Sequence, residues 1–260
     1  MTTRMPVLFV GHGSPMNAIE NSVWSRAIRA LGAEMTAPRA ILAVSAHWYV
    51  PGTHLTGNER PETIHDFSGF PAALYEMQYP APGSPELARR VVEAIGASRA
   101  SVRDDWGIDH GTWSVLVHLR PAADLPVVQL SIDNRAAAAA HLEIGRAVAP
   151  LRDEGVLILG SGNITHNLRH AMAAWRDGES TTPQWAEGFD ADVAAAVSAH
   201  DTDFLVRALD TEQGRMSHPT PDHYLPLLYA VGAANRDDPV RFPIAGFELA
   251  SLSMRAIVFG

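Results

Sequence analysis

The sequence predicts an α/β fold built on a largely parallel sheet. Short, near-continuous runs of β-branched and aliphatic residues recur along the chain, bounded by Gly and polar residues. Between them lie segments with apolar residues at every fourth position. Runs of the first kind suit strands buried on both faces, and their alternation with helices is the α/β pattern.

The elements follow in chain order. Val7-Leu8-Phe9-Val10 predicts the first strand and Ile41-Leu42-Ala43-Val44 the second. Residues 48–83 carry few helical signals and many Pro, Gly and aromatic residues, and read as a long irregular stretch of the kind that binds ligands. Ser84-Pro85-Glu86 reads as an N-cap followed by Pro at the first helical position. Leu87, Val91 and Ile95 mark the inner face of that helix, and Gly96 ends it. Residues 101–121 read as a second irregular stretch. Val127-Val128-Gln129-Leu130 predicts the third strand. The Ala-rich segment 134–151 predicts a helix with Leu142, Val148 and Leu151 inward. Val156-Leu157-Ile158-Leu159 predicts the fourth strand. Trp185, Phe189, Val193 and Val197 mark a further helix, Leu227 to Ala234 another, and Met254 to Phe259 a last strand. No repeat, linker or change of composition divides residues 1–260, so one domain is expected.

Composition narrows the function. The chain has 260 residues, 20 basic and 29 acidic, for a formal charge of −9, and 47% are hydrophobic. With no Cys, disulfide frameworks, thiolate zinc sites, iron–sulfur clusters and Cys nucleophiles are excluded. No apolar run approaches the roughly 20 residues of a membrane helix. The start, Met-Thr-Thr-Arg-Met-Pro, leads directly into a strand rather than an apolar signal segment, so a cytoplasmic protein is expected. A charge of −9 without a basic cluster argues against nucleic acid and anionic membranes as partners. The 12 His residues stand out: in a chain without Cys, imidazole is the obvious metal ligand.

In α/β sheets ligands bind at the carboxyl ends of the parallel strands. Gly11-His12-Gly13-Ser14-Pro15 follows the first run, Ser45-Ala46-His47-Trp48 the second, and Gly160-Ser161-Gly162-Asn163, with His166 close behind, the fourth. One His after a strand is commonly a hydrogen-bonded structural residue. Three delivered to one edge point to a site, and flanking Gly residues let backbone approach a bound group. Gly160-Ser161-Gly162 also fits an anion-binding nest. His218-Pro219-Thr220-Pro221-Asp222-His223 offers His from a Pro-stiffened loop, as suits a preorganised ligand; an exposed Pro-rich turn is the structural alternative. Asp109-His110 reads as an acid/base pair or as an ordinary turn. His166 and His170, four apart, are a rival chelating pair on one helix face.

These residues together resemble the class III extradiol ring-cleaving dioxygenase superfamily, and within it the 4,5-DOPA extradiol dioxygenase family. The resemblance spans nearly the whole chain. It rests on Gly11-His12-Gly13-Ser14-Pro15, Ser45-Ala46-His47-Trp48, Asp66-Phe67-Ser68-Gly69-Phe70-Pro71, Gly107-Ile108-Asp109-His110-Gly111, Gly160-Ser161-Gly162-Asn163, and His218-Pro219 through His223. It implies a single α/β domain with a mixed, mostly parallel central sheet flanked by helices. It implies His12, His47 and His223 as metal ligands, His166 as catalytic base, and His110 in substrate contact and proton transfer. The implied cofactor is mononuclear non-haem Fe(II), with zinc in some members. The implied partners are a small aromatic diol and O2, the ring opening beside the diol to a muconic semialdehyde.

Many members of the superfamily use two His and a carboxylate, an arrangement that leaves coordination positions open. Here His223 takes the third position. Three neutral imidazoles leave the metal's charge uncompensated, which favours a catecholate dianion and also resembles three-His zinc hydrolases. Ser14, His65, Ser161 and His218 are expected polar contacts to the substrate. Phe67, Phe70, Trp48 and Tyr75 are expected around its ring, with core packing as the alternative role. Two rival functions follow: a zinc-dependent hydrolase or amidase using Asp109 or His166 as base, and a non-enzymatic, Memo-like metal-binding protein. No Arg lies near the expected ligands to bind a substrate carboxylate, and the sequence leaves the physiological diol and the oligomeric state open.

Overall fold

Strands apolar on both faces must be covered on both sides, and the expected runs sit at the centre of such a sheet. The computed structural model describes residues 4–260. Its strands are β1 (Val7–Gly11), β2 (Ala40–Val50), β3 (Thr53–Thr56), β4 (Ala100–Arg103), β5 (Val127–Asp133), β6 (Val156–Gly162), β7 (Val240–Ile244), β8 (Phe247–Glu248), β9 (Leu252–Ser253) and β10 (Ala256–Phe259). Eight form one sheet in the order β4-β3-β5-β2-β6-β1-β10-β7, and β8 and β9 form a separate hairpin. The four central strands, β5, β2, β6 and β1, run parallel. The pairs β1–β10, β10–β7 and β3–β5 are antiparallel, which makes the sheet mixed.

Alternate residues of the apolar runs face opposite cores. Val7 and Phe9 pack on one side with Leu42, Val44 and Ile158, while Leu8 and Val10 pack on the other with Ile41, Ala43 and Leu159. The helices are α1 (Val23–Glu34), α2 (Ala72–Tyr75), α3 (Pro85–Ile95), α4 (His110–Leu119), α5 (Ala138–Val148), α6 (Leu168–Asp177), α7 (Gln184–Ser198), α8 (Thr202–Arg207), α9 (Glu212–Ser217) and α10 (Leu225–Ala233). The first core is covered mainly by α3, α5, α7 and α10, the second by α1 and α4. None of these helices is long and apolar enough to cross a membrane.

Local chemistry sets the ends. Ser84 Oγ accepts from Leu87 N at 3.1 Å with Pro85 at the helix start, and Gly96 turns out of α3 at φ +106°. The Ala-rich helix is shorter than its composition suggests: α5 begins at Ala138.

The irregular reading of 101–121 is corrected. The segment holds most of β4 and all of α4. Nearly every residue of α4 is buried, so apolar and small residues surround it and the one-sided pattern that marks a surface helix is missing. Its visible start signal is Asp109, whose side chain accepts from Thr112 N at 3.2 Å. Likewise, β2 runs on to Val50 and β3 follows it inside the stretch 48–83.

Candidate metal centre

Four backbone devices bring separate stretches to one edge of the sheet. His12 follows β1, and its N–H donates to the Gly162 carbonyl at 3.0 Å, tying it to the end of β6. His47 lies within β2 where its pairing with β5 shifts register between Val44 and Tyr49, an irregularity that re-aims side chains near active sites. His223 stands just before α10, its carbonyl accepting from Asn163 N at 2.9 Å. A Cβ at Gly162 would overlap that carbonyl, and one at Gly160 would overlap the Pro226 carbonyl. Gly160-Ser161-Gly162 is therefore strand on which residues 223–226 pack, and the anion-nest reading is corrected.

The three expected ligands converge. Ring centroids are 5.1 Å apart for His12 and His47, 5.2 Å for His12 and His223, and 5.0 Å for His47 and His223. One nitrogen from each lies within 4.8 Å of the others, and the Nε2 atoms of His12 and His47 are 3.3 Å apart. Each ring meets an oxygen through its other nitrogen. Nδ1 of His12 lies 3.0 Å from Ser161 Oγ, Nδ1 of His47 lies 3.4 Å from Asp66 Oδ2, and Nδ1 of His223 lies 2.5 Å from Asp222 Oδ2. Oxygen partners on the far nitrogen fix tautomer and orientation, as around metal-bound imidazoles.

Burial, reinforced by neighbouring imidazoles, pushes His12 and His223 well below the ordinary 6.5 and His47 down to about 3. The rings are therefore neutral near pH 7, with lone pairs directed at one another. That donor set fits a divalent cation.

A second group, His47, Asp66 and His110, also has ligand-type atoms within 4.8 Å of one another. Asp66 Oδ1 there is engaged by His110, through Nδ1 at 2.8 Å and the backbone N–H at 3.0 Å. Burial pushes Asp66 up, but the hydrogen bonds and charge of His110, with His47, hold it below its ordinary value. An ionised Asp66 only accepts, which places a proton on Nδ1 of His110 and leaves Nε2 free. We read Asp66 as a brace between His47 and His110.

His166 stacks flat on His223, with centroids 3.5 Å apart and planes 2° apart. Burial lowers it to about 4. It is therefore neutral and able to accept a proton, though weaker in that role than the near-7 base that suits both removal and return of a proton.

His12, His47, His110, His166 and His223 open into one cavity of about 900 Å³, walled in part by Phe67 and Phe70. Ser14 lines it, although its hydroxyl also caps Met16 N at 3.2 Å. The other expected substrate contacts lie elsewhere. Ser161 is fully buried, donates to the Gly111 carbonyl and braces His12. His65 Nε2 is held by the Met77 carbonyl at 2.9 Å, and His218 Nε2 by the Ile164 carbonyl at 2.7 Å. Trp48 is core, stacked on Trp106 at 5.6 Å, and Tyr75 packs outside Phe67.

The rival His pair also separates. His166 precedes α6, which Asn167 caps, and His170 turns its Nδ1 to Ser251 Oγ at 3.2 Å. Asp109 is buried, hydrogen-bonded to Gln129 and pushed up to about 6 by burial, so it caps α4 rather than pairing with His110.

Sequence reasoning gave no role to Asp66 or Asp222, which brace their His partners. The adjacency Asp222-His223 was a visible signal; nothing local links Asp66 to a residue 44 positions away.

The neutral His cluster predicts a pH dependence for metal-free protein. Rings held below 6.5 in the fold take up protons on unfolding, so stability falls as pH drops below about 6.5. For His47 this loss continues toward about 3 and for His166 toward about 4. Each ring contributes up to about 1.4 kcal/mol per pH unit inside its window. Urea midpoints of chelator-stripped protein at about pH 7.5, 6 and 5 check this; a midpoint that stays level would show rings that protonate freely in the fold.

Known proteins carry related sequences. A family model described as the catalytic LigB subunit of aromatic ring-opening dioxygenase matches residues 7–260. A protein of Escherichia coli (strain K12) named 4,5-DOPA dioxygenase extradiol is 48% identical over 266 residues, covering 100% of this chain and 96% of its own. One of the same name from Beta vulgaris is 39% identical over 237 residues, covering 88% and 87%. A solved structure of an uncharacterized Escherichia coli K12 protein superposes with a TM-score of 0.86 at 44% identity, covering 99% of this chain and 100% of that one.

Proposed function

Because the chain belongs to the LigB family of aromatic ring-opening dioxygenases, we propose that it opens a catechol ring beside its two hydroxyls using Fe(II) held by His12, His47 and His223. The observation that carries this reading is the convergence of three neutral imidazoles, each braced by an oxygen, on the wall of a cavity with room for an aromatic ring. When bound, the metal supplies the electron transfer that lets O2 react with a catechol. Both oxygen atoms end in the semialdehyde product, and no outside reductant is consumed.

The protein's own side chains bind and move protons. Phe67 and Phe70 offer aromatic faces to the ring. Neutral His166 accepts a proton from a substrate hydroxyl, a removal favoured by the negative charge left on the substrate oxygen, which raises the basicity of the imidazole. It returns the proton to the product as the ring opens and that charge is lost. His110, oriented through Asp66, lines the same space. The named substrate of the relatives makes a DOPA-like diol the first candidate.

Two observations weigh against the rivals. Asp109, one of the bases a zinc hydrolase would use, is buried under α4 and already hydrogen-bonded. A cavity of about 900 Å³ has room for a catechol, unlike the closed pocket expected of a purely metal-binding relative.

The test is anaerobic loading with Fe(II), then air and a panel of catechols, following colour and O2 uptake. One O2 consumed per catechol, with a coloured ring-opened product, is the expected result. No uptake by Fe(II)-loaded protein, with ester or amide hydrolysis by zinc-loaded protein, would replace this reading with the hydrolase.

A further inference from the structure

The cavity wall away from the His cluster has its own chemistry. The chain contains no Lys, and no Arg lines the cavity. Glu248 and Glu20 do. Glu248 ends β8, and its carboxylate is fixed by Ser14 N at 2.6 Å and by Asn17 Nδ2 at 2.9 and 3.1 Å. A Cβ on Gly13, the residue beside His12, would overlap that carboxylate. Gly13 (φ +61°) thus gives both the turn and the space that let Glu248 approach the metal centre.

We propose that Glu248 is a selectivity residue that binds the protonated amine of the substrate's side chain. The inference rests on the ring-opening reading above. Glu248 makes no ion pair among the described residues, and its hydrogen bonds come from neutral donors. Burial, with Glu20 adding to it, pushes its carboxyl above the ordinary range. A part-buried carboxylate without a cation is costly, and a substrate ammonium supplies what it lacks.

The same wall repels an acidic side chain, which would meet two carboxylates and no cation, so selectivity comes from repulsion as well as attraction. A zwitterionic side chain, as in the substrate named for the relatives, engages Glu248 through its amine. The hairpin that presents Glu248 is also strained. Leu249 (φ +48°) and Ala250 (φ +64°) are consecutive left-handed residues without Gly, and such strain gathers at ligand clamps.

Four catechols of similar size separate these ideas: 4-ethylcatechol, dopamine, 3-(3,4-dihydroxyphenyl)propionate and L-DOPA. The expected order of kcat/KM on the Fe(II)-loaded enzyme is dopamine and L-DOPA first, 4-ethylcatechol about tenfold lower, and the propionate lower again by a similar factor. In Glu248→Gln the ratio of dopamine to 4-ethylcatechol falls toward one. Glu20→Gln, a change at an exposed position, lowers the ratio by a smaller factor.

A second measurement needs neither metal nor turnover. Titration of metal-free protein with 2-phenylethylamine and with 3-phenylpropionate should show tighter binding of the amine, and Glu248→Gln should remove the difference. Preference for the propionate, or ratios unchanged in Glu248→Gln, overturns the proposal. Failure to turn over any of the four catechols overturns the ring-opening reading, and the binding titration still decides the role of Glu248.

Discussion

His223→Ala protein is expected to emerge from anaerobic Fe(II) loading with less than about a tenth of an iron per chain and with no measurable ring opening. Loss of an oxygen that merely orients a ligating His costs about 10–100-fold in metal affinity, and loss of the ligating nitrogen costs more. His12→Ala and His47→Ala should behave alike, because the three rings are near-equivalent corners of one triangle. Asp222→Asn keeps the shape of the brace but not its charge, so it should lose affinity within the 10–100-fold range rather than binding itself. Iron per chain by metal analysis, with circular dichroism to confirm the fold, reads both effects. Retention of a full iron by His223→Ala would remove His223 from the ligand set. The holder would then be the group formed by His47, Asp66 and His110, since His170 and His218 are engaged elsewhere.

What the sequence made legible follows a physical rule. Central parallel strands are buried on both faces, so their composition alone marks them, and all four expected runs lie in the sheet core. The edge and the antiparallel members, β3, β4 and β7, are short or mixed in polarity and left no such mark. Helix α4 escaped for the opposite reason: it is surrounded by protein, and the period of 3.6 vanishes when no face meets water. The His positions were readable because they follow strands whose ends share one edge. Their partners were not, since Asp66 reaches His110 and His47 only through the fold. Small polar residues such as Ser161 look the same in sequence whether they face a substrate or stand behind a ligand; full burial places this one behind His12.

Helix α6 shows the same limit from another side. Leu168, Met172 and Trp175 are exposed, Trp175 by 65%, yet they line the cavity mouth at spacings of four and three. An apolar stripe at helical spacing reads as a core face, and here it faces solvent at the mouth of a binding cavity. Exposed apolar residues gathered in this way suit contact with a ligand better than isolated ones do. The Glu248 hairpin lines the same cavity, so the substrate's side chain meets apolar surface and a carboxylate together.

Proton transfer should separate from metal binding at His166. Alanine there would also remove the ring stacked on His223 at 3.5 Å, so the informative variant is His166→Phe, which keeps a ring over the ligand and deletes both nitrogens. The variant is expected to hold iron in the same ratio as the parent while kcat falls by about 10²–10⁴-fold, the range that a positioned acid/base group contributes. Metal analysis and O2 uptake on the same sample read the two quantities. Loss of iron would make His166 a fourth ligand. Unchanged turnover would move the proton to His110, which lines the same cavity. Asp66→Asn, assayed at saturating iron because Asp66 also braces His47, distinguishes those cases. Its amide no longer forces the proton onto Nδ1 of His110, so turnover should shift its pH profile if His110 carries the proton and keep the parent profile if His166 does.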